Sequence, residues 1–340
     1  GGDDYPRRLA GGADRPGDIE ALCRLAPPNV GVVTGLSTVH AANFKNVDEL
    51  ALEKSKIISL LPADGLAILN SDDAKVLLMS GLTEAKVINF GSRSSQWSFQ
   101  NLRLQTRLDD SFDPGEIFAV TSANVTHDGS VIGELRLLNC LGYAPVMACL
   151  AGIAVATEFG VLPTEAINAL NESYRPVPGR LNPLPGIKGS LIIDDTYNAA
   201  PAAMQSALEL LRMFTPGEER DRRIAVLGQM AELGQYTDQE HRMIGMQVAQ
   251  CADLFIAVGP DMQVAVESAK EAGLEPNKIE WFATADEAGK YLDRAVQKGD
   301  VVLVKGAQSS RMEKVVKQVM AEPLRAEEFL VRQDEKWLRE

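Results

Sequence analysis

Five short apolar runs spread through the second half of the chain constrain its fold more than any other feature. They span residues 191–193, 224–227, 254–258, 278–282 and 301–304. Each reads as a buried strand. Helical patterns lie between them at 202–214, 239–250, 263–271 and 285–297, with a last one at 311–320. Strands that alternate with helices build a parallel sheet covered on both faces. The expectation is a doubly wound, Rossmann-like domain, in which ligands bind at the carboxyl edge of the strands. The first run ends at that edge in Asp194-Asp195-Thr196-Tyr197-Asn198-Ala199-Ala200-Pro201. Pro201 fits the first turn of the following helix, where its missing N–H costs nothing. Asp194 and Asp195 suit ribose hydroxyls or a cation, and Tyr197 suits stacking on a base. The same residues equally suit a helix entry rich in turn formers.

The first half shows a related pattern. A helix over 19–25 is stopped by Pro27-Pro28. A strand at 30–34 leads into a loop, 35–46, that contains His40. Asp48 caps a helix that runs to Leu61. Strands at 65–69 and 87–90 enclose a short helix over 74–79, which predicts a mostly parallel sheet. From Trp97 to Leu138 the pattern changes. Runs at 117–120 and 131–132 flank Asp128-Gly129, a strong hairpin turn, so an antiparallel patch is expected at the edge of the first domain. His127, beside that turn, reads as a turn residue. Helices follow over 145–159 and 164–170. The Pro/Gly-rich stretch 176–186 reads as a linker, which divides the chain into domains at 1–176 and 177–340.

Composition removes several function classes. The 340 residues suffice for two domains, and the net charge of −13 argues against non-specific nucleic-acid binding and against an anionic membrane surface. It leaves an anionic substrate open, because local cations decide that. The longest apolar stretch, 143–161, carries Glu158 and two glycines, short of the roughly 18 apolar residues of a membrane span. Cys23, Cys140, Cys149 and Cys251 lack metal-ligand spacing and read as reduced core thiols of a cytoplasmic protein. A monomer is expected. The first residues, Gly-Gly-Asp-Asp, have neither a signal-peptide pattern nor an initiator Met, so the chain is expected to begin inside a longer protein.

Six pieces then ask for one explanation. They are Asp14-Arg15-Pro16-Gly17-Asp18-Ile19; Val33-Thr34-Gly35 with His40 and Lys54; Val177-Pro178-Gly179-Arg180; Asp194 to Ala199; Val226-Leu227-Gly228-Gln229-Met230-Ala231-Glu232-Leu233-Gly234 with His241; and Leu303-Val304-Lys305-Gly306. In this order and spacing they resemble the Mur ligases over almost the whole chain. The Asp-Asp-Thr-Tyr-Asn-Ala and Met-Ala-Glu-Leu-Gly signatures resemble the branch that joins D-alanyl-D-alanine to UDP-N-acetylmuramoyl-tripeptide. The resemblance implies a partial central ATPase domain followed by a Rossmann-like C-terminal domain. It implies an ATP-dependent ligase of peptidoglycan precursor synthesis that works through an acyl phosphate, with Mg2+ as metal. By the same resemblance His40 and a carbamylated Lys54 hold metal, Lys56 being the neighbouring alternative. Arg180 reaches the ATP phosphates, a task that suits a guanidinium fork. Asp195 binds ribose or orients that arginine, and Tyr197 and Asn198 form the adenine pocket. Met230, Glu232 and Lys305 wall the dipeptide site, where Lys305 meets a carboxylate.

The sequence also departs from the family. It holds no GxxxxGK[ST] phosphate loop, and the UDP-sugar domain that precedes it in the family is not in these residues. The segment Arg8 to Ala13 has no carboxylate where the family has a metal-binding Glu, and Ala148, Ala200 and Gln229 replace polar family residues. Two other readings therefore stay open. One is a degenerate, non-catalytic binding protein of the same fold. The other is a sister amide ligase, such as the enzyme adding the third peptide residue or a folylpolyglutamate synthase.

Overall fold

The computed structural model describes residues 15–36, 44, 46–93, 95–106, 119–214 and 222–338. His40, the segment Arg8 to Ala13 and Ile117-Phe118 lie outside them. The described residues group into two compact units. One draws on the described residues within 1–102, 122–135 and 145–172, and the other on those within 103–121, 136–144 and 173–340.

The chain opens with α1 (Asp18–Leu25), β1 (Val30–Val33), α2 (Val47–Ser59), β2 (Leu66–Asn70), α3 (Ala74–Leu77) and β3 (Lys86–Phe90). Then come β4 (Trp97–Thr106), β5 (Ala119–His127), β6 (Ser130–Leu138), α4 (Tyr143–Glu158) and α5 (Pro163–Ser173). Strands β1 to β6 form one sheet in chain order, and β1, β2 and β3 pair in parallel as expected. Asp128 and Gly129 both take positive φ, 47° and 78°, which fits the twisted turn of the β5–β6 hairpin. The α2 cap is Asn46, whose side chain accepts the Glu49 N–H at 2.9 Å, and not Asp48. Asp48 sits inside the first turn, where a carboxylate favours the helix dipole, and pairs with Lys75. Another carboxylate of α2 caps α1. Buried Glu53 accepts the N–H groups of Gly17 and Ile19, both at 2.9 Å. Burial works to raise its carboxyl, but Lys56 at 2.8 Å and the two amides outweigh that and hold it below the usual carboxylate range.

The second sheet holds β7 (Asn182–Pro185), β8 (Leu191–Asp195), β9 (Arg223–Gly228), β10 (Leu254–Val258), β11 (Ile279–Phe282) and β12 (Val301–Lys305). Its order is β11-β10-β9-β12-β8-β7, parallel throughout except for β7. The intervening helices are α6 (Pro201–Met213), α7 (Thr237–Cys251), α8 (Met262–Glu271) and α9 (Ala285–Ala295), followed by α10 (Glu313–Val319), α11 (Ala326–Phe329) and α12 (Glu335–Leu338). Strand β7 corrects the linker reading. Pro183 and Pro185 cannot donate to a ladder, yet an edge strand asks for donors on one side only. The last long helix begins at Glu313 and not at Arg311, because Arg311 takes a left-handed φ of 51°.

Alternate residues of each strand enter opposite cores. Leu191, Ile193, Ala225, Leu227, Phe255 and Leu303 pack with α6, α7 and α8. Ile192, Ile224, Val226, Ile256, Val302 and Val304 pack with α9 and α10. Both faces are covered, so the strands read as unbroken apolar runs. The chain walks outward from β9 to β11, then returns to insert β12 between β9 and β8. The carboxyl ends of β8, β9 and β12 therefore meet at the point where the order reverses.

Helices α7 and α8 approach so closely that a Cβ on Gly245 would lie 2.1 Å from the Ala265 carbonyl oxygen. Gly245→Ala is expected to lower the thermal midpoint, since overpacking of about 1–3 kcal/mol exceeds the roughly 1 kcal/mol gained in helix propensity. Gly152→Ala, in α4 with open space around its Cβ, is expected to leave the midpoint unchanged or raise it. Equal shifts in the two variants would contradict this packing.

Candidate functional site

The site grows from the register of β8 against β12, which sets Asp195 beside Lys305. The Lys305 ammonium lies 2.7 Å from Asp195 Oδ2 and donates to the Asn198 carbonyl at 2.8 Å. Their side chains are 2% and 8% exposed, so this is a buried ion pair. Removing one partner of such a pair costs about 3–5 kcal/mol, because the other charge stays buried and unmatched. Asp194 faces the opposite way and is fully buried. Its Oδ1 accepts the Thr196 hydroxyl at 2.7 Å and the Thr196 N–H at 3.2 Å, and its Oδ2 accepts the Gly179 N–H at 3.0 Å. Asp195 Oδ1 accepts the Leu181 N–H at 3.2 Å. The two carboxylates thus grip the backbone on both sides of Arg180. This bears on the ribose and cation expectations, since Asp194 opens to no ligand and Asp195 is committed to Lys305 and Leu181.

What the frame presents to solvent is a cation, a ring and an amide. Tyr197 is 48% exposed, and the Arg180 guanidinium lies 4.1 Å from its ring centroid. Asn198 is exposed, with its Oδ1 on the Ala199 N–H at 2.8 Å. Gly179 makes the approach possible. Its φ is 70°, and a Cβ there would lie 3.0 Å from the Tyr197 nitrogen.

The end of β9 is held from behind by His241, which is fully buried on α7. Its Nε2 accepts the Met230 N–H at 3.0 Å, and its Nδ1 pairs with the Thr237 carbonyl at 2.7 Å. A carbonyl takes only a donor, so the proton sits on Nδ1 and the ring is a neutral brace. Met230 is buried in the core and offers a ligand only its backbone, whereas Glu232 is exposed at a φ of 60°. The Lys305 ammonium is turned inward on Asp195, so it presents no exposed cation to a substrate carboxylate.

The other unit carries Lys54 on α2. The residue is partly buried, and burial pulls its ammonium below the ordinary value. Lys56, the alternative, is engaged with Glu53 at 2.8 Å and Glu20 at 3.5 Å, which keeps its amine protonated. Among the described residues no three His, Cys, Asp or Glu side chains converge as a metal centre needs. All four cysteines are buried free thiols, as the sequence suggested. Sequence reasoning missed Arg332 and Glu313, both buried near the Tyr197 loop, because neither belongs to a motif with a chemical signature.

Burial of Asp194 pushes its carboxyl up to about 7, against the three donors that favour the ionised form. A raised carboxyl means that the folded chain holds a proton the unfolded chain has lost. Stability from this group is therefore complete below about pH 4 and is lost as the pH rises toward 7, by about 4 kcal/mol at most. Urea midpoints taken from pH 4 to 7 should fall less steeply in Asp194→Asn than in the native chain. Parallel slopes would contradict the assignment.

Residues 12–147 match the Mur ligase middle domain, and residues 179–308 match the glutamate ligase domain of Mur ligases. The UDP-N-acetylmuramoyl-tripeptide–D-alanyl-D-alanine ligase of Mycobacterium tuberculosis (strain ATCC 25618 / H37Rv) is 29% identical over 324 residues, 90% of this chain and 61% of that one. The Escherichia coli (strain K12) enzyme of the same name is 30% identical over 311 residues, 90% of this chain and 63% of that one. The chain thus spans less than two thirds of the length of these relatives. The crystal structure of MurF ligase from Thermotoga maritima in complex with ADP superposes with a TM-score of 0.73 at 25% identity, covering 90% of this chain and 65% of that one. Two family domains in their proper order, each with its expected fold, assign the chain to the Mur ligase family.

Proposed function

We propose that this chain is the middle and C-terminal portion of an ATP-dependent amide ligase that adds D-alanyl-D-alanine to UDP-N-acetylmuramoyl-tripeptide. The observation that carries the reading is the exposed Arg180–Tyr197 pair at the carboxyl end of β8, with the Arg180 guanidinium 4.1 Å from the Tyr197 ring centroid. Relatives carrying that activity in their names, and one with ADP bound, support it.

On this reading adenine stacks on Tyr197, Asn198 meets its edge and Arg180 takes the phosphates. Asp195 and Lys305 act behind them as the frame. A carboxylate oxygen of the tripeptide attacks the γ-phosphorus, and ADP leaves with the bridging oxygen. The dipeptide amine then attacks the acyl carbon, loses a proton and expels phosphate. Such transfers rest mainly on positioning and charge neutralisation. Glu232 and the Met230 backbone would border the dipeptide. Lys54, whose ammonium pKa is lowered by burial, would add to CO2 as a carbamate, and that carbamate with His40 would hold Mg2+. Bound Mg2+ would neutralise phosphate charge. The free thiols support a reaction in a reducing compartment such as the cytoplasm.

Calorimetric titration of ADP into the chain should show saturable binding, weakened about tenfold in Tyr197→Ala, the worth of one base stack. Undetectable binding, or equal binding by both proteins, would favour the degenerate reading. Given ATP and both substrates, the 340-residue chain alone should form no product, since it has no GxxxxGK[ST] cradle. Turnover by the chain alone would contradict that account.

A further inference from the structure

Arg332 lies beyond the matched glutamate ligase domain, in the segment after α11. Its side chain is only 7% exposed, and its backbone takes a left-handed φ of 59°, unusual for a residue with a Cβ. One guanidinium nitrogen, Nη1, donates to the Thr196 carbonyl at 3.0 Å and to Glu313 Oε2 at 2.9 Å. The other, Nη2, donates to the Tyr197 carbonyl. Glu313 is 1% exposed and also accepts Arg311 Nε at 2.6 Å, so it fixes the fork from behind. Next to Arg332, a Val331 methyl lies where a Cβ on Gly179 would meet it at 3.0 Å.

The two carbonyls have a specific meaning. The Thr196 carbonyl belongs to the peptide plane before the Tyr197 Cα, and the Tyr197 carbonyl to the plane after it. A planar fork that binds both restrains φ and ψ of Tyr197, and with them the direction of the Cα–Cβ bond from which its ring projects. Lys305 takes the next carbonyl, that of Asn198, from the sheet side. Three consecutive carbonyls are thus held by two buried cations, and Tyr197 is left exposed between them.

We propose that Arg332 is a positioning residue for the nucleotide base, setting the Tyr197 ring through the Thr196 and Tyr197 carbonyls, with Glu313 as its anchor. The inference rests on the nucleotide reading of Tyr197. Arg332→Lys keeps the charge opposite Glu313 but cannot span both carbonyls, so it tests the fork without leaving a buried carboxylate unmatched. Two readouts on the full chain separate the possibilities. Hydrogen exchange at the Tyr197 and Asn198 amides should speed up about tenfold or more in Arg332→Lys; unchanged exchange would overturn the clamp whatever the nucleotide does. ADP affinity should fall several-fold in Arg332→Lys and should fall no further when that change is added to Tyr197→Ala, because both act through one ring. Additive losses, or full affinity in Arg332→Lys alongside weakened binding in Tyr197→Ala, would overturn the positioning role. If Tyr197→Ala itself binds ADP as the native chain does, the nucleotide reading falls and the role of Arg332 falls with it, while the exchange result still reports on the clamp.

Discussion

An ammonium and a carboxylate 2.7 Å apart, both withdrawn from water, organise the carboxyl edge of the second sheet. Neither Lys305 nor Asp195 tolerates burial alone, so β12 and β8 must hold the register that joins them. Once they do, Asp195 can reach the Leu181 N–H and Lys305 can reach the Asn198 carbonyl. Asp194, on the other face, takes Gly179 and Thr196. A turn carrying Arg180 and a loop carrying Tyr197 are thereby fixed by buried groups. Asp194, Asp195 and Lys305 are engaged inside the fold, while Arg180 and Tyr197 face solvent.

The same division of labour recurs at the end of β9. His241 is invested in the Met230 N–H and the Thr237 carbonyl, so it shapes the turn from behind. In the other unit, Glu53 and Lys56 are absorbed in capping α1, while Lys54, one residue away, stays clear of that network. In each place a buried polar group is satisfied internally, as burial demands. Its neighbour on the open side keeps its chemical capacity.

Much of this was legible in the sequence. Unbroken apolar runs separated by helical patterns pointed to the doubly wound sheet, and Asp128-Gly129 to the hairpin. The Asp194–Asn198 cluster was found because a strand ending in polar residues before a Pro is a recognisable edge. Less legible were features decided by tertiary neighbours. Asn46 and Asp48 are both good caps, and only the chain path selects Asn46. Pro183 and Pro185 read as linker because edge position is a property of the sheet and not of the segment. Lys305 read as a ligand because its partner lies 110 positions earlier in the chain, and Arg332 reaches the loop from 135 positions away. Long-range pairing of that kind leaves no periodic trace.

The central claim is that the exposed face over Arg180 and Tyr197 receives an adenine nucleotide. Photolabelling the chain with 8-azido-ADP, followed by peptide mapping, tests it most directly. The account predicts that the label falls on the peptides containing Arg180 and Tyr197 and that excess ADP prevents it. Label on the peptides ending β9 or β10 instead, or labelling that ADP does not suppress, would contradict it.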